Sequence, residues 1–193
     1  ANEGRLTRGY IVIDDEIIAE VGEGEPAAAV MAECDVRNDV DGALVMPGVI
    51  DDQVHFRDPG LTHKADIATE SAAAVAGGVT SYMDMPNTVP PTVTIDALEA
   101  KNRRAQEGSV ANYGFFIGAT NDNLKTLMAV DYSYTPGVKL FLGASTGNML
   151  VSDRDALHDI FAEVPALVAI HSEDEQLIRR NREFYIKKYG DDL

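Results

Sequence analysis

Met46-Pro-Gly-Val-Ile-Asp-Asp-Gln-Val-His-Phe-Arg-Asp-Pro-Gly60 decides how this chain is read. Its apolar start (Val49, Ile50) turns polar within a few residues and ends in Gln53, His55 and Arg57 at alternate positions. Alternate residues of a strand share one face, so an amide, an imidazole and a guanidinium are expected to line up together. Pro59 and Gly60 stop the strand. A strand that is polar only at its C-terminal end is how α/β barrels assemble active sites. An edge strand with a solvated end is the plainer alternative.

Downstream, strands and helices alternate. A strand over Val49–Phe56 is followed by a helix over Ala65–Ala76, closed by Gly77-Gly78. A strand over Val79–Met85 runs into Met85-Pro-Asn-Thr88, and a helix over Ile95–Gln106 starts at a Thr94 cap. Strands are expected over Asn112–Gly118, Gly137–Gly143 and Ala166–His171, with helices over Asp122–Val130, Ser152–Glu163 and Glu173–Tyr189. Apolar strands alternating with helices indicate an α/β fold with a parallel sheet. About five strand–helix units are present, whereas a closed barrel needs eight and typically ~250 residues. Polar strand ends recur at the first, second, fourth and fifth strands, which suits a ring better than an open sheet. The expectation is an incomplete (β/α)8 TIM-type barrel over 47–193 with an unpaired apolar strand edge.

Upstream, residues 1–46 read as a small β-sandwich-like module. Gly9–Ile13 and Glu16–Val21 flank an Asp14-Asp15 turn, and a further strand is expected at Leu44-Val45. No ionisable cluster with chemical spacing appears there. The whole chain has 193 residues, 45% apolar and 25% charged, close to a soluble globular average. Its net charge of −16 repels a phosphate backbone and argues against nucleic-acid binding. No apolar run reaches membrane-spanning length, so no membrane partner is expected. Cys34 is the single cysteine, so a reducing, cytoplasmic setting is the default.

Three ionisable groups carry the chemistry. His55 ends the first strand, Lys139 sits within Val138-Lys-Leu-Phe-Leu142, and His171 ends Val168-Ala-Ile-His171. A lysine among apolar strand residues is desolvated, which frees the neutral amine. That amine can act as a base, form a Schiff base, or take up CO2 as a carbamate that bridges metal ions; a side chain snorkelling from a strand end is the bland reading. Each histidine alone reads as a satisfied, half-buried side chain. Both at C-terminal ends of parallel strands point to metal ligation, since imidazoles suit zinc. His158 is expected on a surface, His63 and Lys64 in a loop, and Met83, Met85, Phe115 and Phe116 in the core.

Pro47-Gly-Val-Ile-Asp51, Val54-His-Phe-Arg-Asp-Pro-Gly60, Thr62-His-Lys64, Ala76-Gly-Gly-Val-Thr80, Asp84-Met-Pro-Asn-Thr88, Val138-Lys-Leu-Phe-Leu142 and Ile170-His171 together resemble the dihydroorotases, in the cyclic-amide branch of the amidohydrolase superfamily. The resemblance runs from about residue 44 to the end and keeps the motifs' order. It implies a cytoplasmic metal-dependent hydrolase that interconverts N-carbamoyl-L-aspartate and L-dihydroorotate through a metal-activated hydroxide, in pyrimidine biosynthesis. It implies that Lys139 is a carbamylated bridging ligand, that His55 and His171 are metal ligands, and that Arg57 and Asn87 hold the substrate carboxylate. A guanidinium fork matches a carboxylate bidentately. One or two zinc ions, a small-molecule substrate and a homodimer are the expected cofactor and partners. The loop Gly143–Asn148 is a candidate lid or a plain turn.

Two departures qualify this reading. Gln53 stands where the family has the first histidine of a His-x-His pair, and an amide oxygen is a poorer ligand for a borderline metal. The chain also stops at Leu193, before the family's sixth-strand histidine and eighth-strand aspartate. The polypeptide alone is therefore expected to be inactive and a longer parent active. Alternatives are a dihydropyrimidinase/hydantoinase, an allantoinase, or a non-catalytic dihydroorotase-like structural subunit.

Overall fold

The computed structural model describes residues 4–143 and 149–191. The chain divides into two compact units, Ala1–Pro47 and Gly48–Leu193. In the first, strand β1 (Gly9–Asp14) pairs antiparallel with β2 (Ile17–Glu23), with a bulge between Val12 and Ile13. Asp15 takes the turn with φ 51°, a conformation that Asp tolerates. Two expectations fail here. Leu44-Val45 is not a strand, and Ala28–Glu33 forms a short helix, α1. That helix has no side-chain cap and no buried residue, so neither start signal nor periodicity announced it. Ile13, Ile17, Ile18 and Val21 of the hairpin are exposed.

The second unit alternates strands and helices: β3 (Val49–Val54), α2 (Ile67–Ala76), β4 (Val79–Asp84), α3 (Ile95–Gly108), β5 (Asn112–Phe115), β6 (Ile117–Gly118), α4 (Leu124–Met128), β7 (Val138–Phe141), α5 (Arg154–Glu163), β8 (Val168–His171) and α6 (Glu175–Tyr189). Every pairing among these strands is parallel, in two sheets of order β3-β4-β5 and β6-β7-β8. Helix starts follow cap chemistry. Thr94, Asp153 and Asp174 each accept a backbone N–H of the first turn, and Asp66 with Thr69 forms a reciprocal capping box. Gly78 closes α2 with φ +90°, the left-handed conformation expected of glycine at that place.

The expected single strand over Asn112–Gly118 is two. Asn112–Phe115 pairs with β4, and Ile117–Gly118 pairs with β7. At the changeover Phe116 donates its N–H back to Asp84 O, and Ile117 donates to Gly137 O. One segment therefore passes from one sheet to the other. The core gathers Ile67, Tyr82, Leu98, Phe115, Ile117, Leu127, Val138, Leu140 and Ile160 from strands and covering helices. β7 is buried at every position, as a strand covered on both faces must be. The end strands are more open, with Ile50 63% and Ile170 42% exposed. Met85, Phe115 and Phe116 are core residues; Met83 is half-buried.

Candidate functional site

The expected first strand ends early. β3 stops at Val54, so His55, Phe56 and Arg57 follow it in a loop. Its register with β4 shifts between Asp51 and Val54: Asp51 faces Tyr82, and Val54 faces Asp84. Three residues on one strand thus span two on the other, a bulge next to Gln53. Simple alternation therefore does not place Gln53, His55 and Arg57 on one face. Gln53 is exposed, its backbone N–H donated to Asp51 Oδ1 at 3.1 Å. Arg57 sits at φ 66°, a left-handed backbone uncommon outside glycine, asparagine and aspartate.

What brings His55 to its partners is the loop. His55 Nδ1 lies 2.8 Å from Asn87 Oδ1. An amide oxygen only accepts, so Nδ1 carries the proton and Nε2 keeps a lone pair. Burial holds the His55 imidazole below its ordinary pKa; the Asn87 hydrogen bond opposes this, while the positive charges of Arg57 and Lys139 add to it. His55 therefore lies within electrostatic reach of both Arg57 and Lys139. Arg57 has no carboxylate partner among the described residues and is half-buried. Gly60 has φ +84°, and a Cβ there would collide with the backbone carbonyl of Val89. Val89 donates its N–H to Pro59 O at 3.1 Å, so the two loops bearing Arg57 and Asn87 pack directly together.

Beneath these loops lies a group that strand periodicity did not reveal. Asp84, the last residue of β4, and Lys101 of α3 form an ion pair of 2.6 Å with both side chains wholly buried. Asp84 Oδ1 accepts the N–H of Phe56 at 2.9 Å, and Lys101 Nζ donates to Met85 O at 2.9 Å. The Lys101 ammonium also lies 4.9 Å from the centroid of the Phe115 ring. Burial pushes the Lys101 amine below its ordinary pKa, and the facing Asp84 carboxylate opposes that. A lysine at the head of an exposed-looking Lys101-Asn-Arg-Arg104 run gave no sign of burial. The only available signal was helical phase, because Leu98, Lys101 and Ala105 share one stripe.

Across the unit, Lys139 is 2% exposed within β7, and its amine is held below the ordinary lysine range by burial. It does not snorkel into solvent; its Nζ lies 5.2 Å from the Phe141 ring centroid. Phe141 is in register with His171 and Lys139 with Ala169, so Lys139 and His171 occupy the same sheet face, diagonally placed. His171 Nε2 is 3.3 Å from Glu173 Oε2, with both side chains about two-fifths exposed. Glu173 is a second residue that motif reading missed. Gly143 packs so closely on Glu173 that a Cβ would strike its side chain. The rest of the candidate lid, residues 144–148, lies outside the described residues. His63 and Lys64 are exposed, and His158 is an exposed helix residue 3.3 Å from Asp159.

The donor chemistry suits a borderline cation in part. His55 offers Nε2, His171 a second imidazole, and Lys139 an amine that becomes an anionic oxygen donor only after carbamate formation. No three His, Cys, Asp or Glu side chains cluster as a metal cage among the described residues.

The model of the Dihydro-orotase-like family matches residues 42–138. A dihydroorotase of Halobacterium salinarum is 37% identical over 176 residues, covering 88% of this chain and 41% of that protein. A dihydroorotase of Methanosarcina acetivorans is 33% identical over 175 residues, covering 89% of this chain and 36% of that one. Among solved structures, the L-hydantoinase (dihydropyrimidinase) from Arthrobacter aurescens superposes with a TM-score of 0.80 at 27% identity, covering 96% of this chain and 42% of the other. The chain spans about two-fifths of the length of these relatives.

Proposed function

This chain belongs to the dihydroorotase-like family, and from that premise we propose that it forms the substrate-carboxylate and metal-binding half of a dihydroorotase. The reaction is the reversible closure of N-carbamoyl-L-aspartate to L-dihydroorotate in pyrimidine biosynthesis. The five strand–helix units are the first part of a (β/α)8 barrel, and the hairpin module, with its exposed Ile13, Ile17, Ile18 and Val21, is one part of a composite β-sandwich. The polypeptide supplies only part of the site, and the complete enzyme carries the activity.

The observation that carries this reading is a guanidinium without a carboxylate partner among the described residues, Arg57, beside an imidazole–amide pair, His55–Asn87. Arg57 receives the substrate carboxylate bidentately. Asn87 spends its Oδ1 on His55, which leaves its NH2 group to donate to the same carboxylate. Through that one amide, substrate binding and the His55 tautomer are set together. Lys139, buried and short of its ordinary basicity, is the group that CO2 converts to a carbamate. His55, His171 and carbamylated Lys139 would hold zinc, with Gln53 as a weak further donor or none. Bound zinc supplies Lewis-acid polarisation of the ring carbonyl and water acidified to near-neutral pKa.

The test compares hydrolysis of dihydroorotate with that of dihydrouracil by the complete enzyme. Preference for dihydroorotate, lost in Arg57→Met, is expected. Preference for the uncharged ring sinks the assignment and favours a hydantoinase, the second reading that the L-hydantoinase superposition supports. Bicarbonate labelled with 13C should give a carbamate signal that is absent in Lys139→Met.

A further inference from the structure

We propose that the buried Asp84–Lys101 pair is a positioning device that sets the distance between the segment bearing His55 and Arg57 and the segment bearing Asn87. The inference rests on the dihydroorotase reading for its catalytic consequence, though not for its geometry.

Each end of the pair grips one segment. Asp84 Oδ1 takes the N–H of Phe56, the residue between His55 and Arg57. Lys101 Nζ takes the carbonyl of Met85, two residues before Asn87. The 2.6 Å ion-pair contact joins the two grips, and among the described residues Asp84 Oδ2 has no hydrogen-bond partner, so this charge contact is what it meets. Met85 N–H also bonds Val54 O at 3.0 Å, which closes the circuit between the two strand ends. The same helix adds a second hold. Arg104, three residues on and hence on the same face, meets Asp58 at 3.2 Å, and Asp58 Oδ2 receives the N–H of Ile67. Helix α3 thus reaches with two cations under the loop that presents Arg57.

A pair kept only for stability has a cheaper solution. Apolar residues of similar volume in place of a buried ion pair are often neutral or stabilising. Here the charges are spent on two backbone groups at strand ends that bear candidate site residues, where small displacements are costly in rate. Asp84 and Lys101 contact no substrate; they act through Phe56 and Met85.

The decisive variant is Asp84→Asn/Lys101→Met in the complete enzyme. It removes both charges and keeps an acceptor for Phe56, so the fold is expected to survive, but it frees Met85 O. The KM for dihydroorotate is expected to rise roughly ten- to hundredfold, the scale that misplacement of a binding group costs, and kcat to stay within about threefold. The KM for dihydrouracil, which has no carboxylate for Arg57 and Asn87, should change much less. Independently of turnover, the 15N signals of the His55 ring, which report its Nδ1–H bond to Asn87, should shift in this variant and return in Asp84 with Lys101→Arg. A folded double variant with unchanged dihydroorotate KM and an unmoved His55 signal overturns the proposal. Failure of both variants to fold also overturns it, in favour of a purely structural pair. If wild-type enzyme turns over only uncharged rings while the His55 signal still shifts, the substrate assignment fails and the positioning role stands.

Discussion

The two pairs of strand ends that bear the candidate site residues are held by opposite means. At the ends of β3 and β4, His55 and Asn87 rest on a wholly buried Asp84–Lys101 pair that ties both loops by backbone hydrogen bonds. At the ends of β7 and β8, Lys139 stands among apolar neighbours over the Phe141 ring, and His171 lies 6.0 Å from the same ring and 3.3 Å from the partly exposed Glu173. The first rim is pre-organised by protein contacts. The second contains a desolvated amine facing no fixed counter-charge among the described residues, an arrangement that gains from a ligand. One half of the proposed site is thus held by protein contacts, and the other leaves its charge for a ligand to complete.

The largest way to break this contrast is to remove one member of the buried pair. Asp84→Ala leaves an uncompensated buried ammonium and should cost about 3–5 kcal/mol, read from the denaturant midpoint. Lys139→Met, a volume-conserving change that relieves desolvation, should leave stability within about 1.5 kcal/mol of wild type or raise it. A loss in Lys139→Met as large as in Asp84→Ala would erase the distinction between the rims. Next in size come the histidines. His55→Ala deletes a half-buried hydrogen bond to Asn87 and should cost about 1–3 kcal/mol, whereas His171→Ala, which loses a partly exposed polar contact and a ring contact with Phe141, should cost about 1 kcal/mol or less. Equal losses would place the two histidines in equivalent surroundings.

Legibility in the sequence follows the same division. The parallel α/β alternation was readable because strand apolarity, the Thr94 cap and the Gly77-Gly78 stop are local signals. The burial of Lys139 was readable from its flanking Val138, Leu140 and Phe141. The bulge beside Gln53 and the split at Phe116 were not, because register is set by the partner strand rather than by composition. Nor was the Asp84–Lys101 pair, whose members lie on a strand end and a charged helix, each bland alone. His55, Arg57 and Asn87 were singled out from the sequence by strand alternation and motif, and the alternation argument fails at Val54, where β3 ends. Their proximity comes from two packed loops instead.

Acid provides a subtler probe of the pre-organised rim. Burial lowers the His55 pKa in the folded chain, so between that value and the ordinary imidazole value of about 6.5 the unfolded chain binds more protons. The stability that His55 contributes is therefore present above about 6.5 and is lost as pH falls through the folded pKa. In metal-free protein, melting temperatures measured from pH 8 down to pH 5 should fall, and His55→Gln should fall less steeply. An identical slope in that variant would show that His55 is not the group responsible.

The smallest expected effect comes from salt, and it separates buried from exposed charge. With 32 acidic against 16 basic residues, the folded chain repels itself, and screening that repulsion favours the compact state. The exposed pairs Arg5–Glu23, Arg103–Glu99 and Arg179–Glu175 pull the other way, but each is worth at most about 1 kcal/mol and is screened as well. Net stabilisation from 0.05 to 0.5 M NaCl is the expected sign. The Asp84–Lys101 pair is wholly buried and beyond the reach of counterions. The difference between wild type and Asp84→Ala should therefore be the same at both salt concentrations while both proteins gain stability. A difference that shrinks with salt would mean that the pair is hydrated in solution, and that the rim bearing His55 and Arg57 is no better fixed than the one bearing His171.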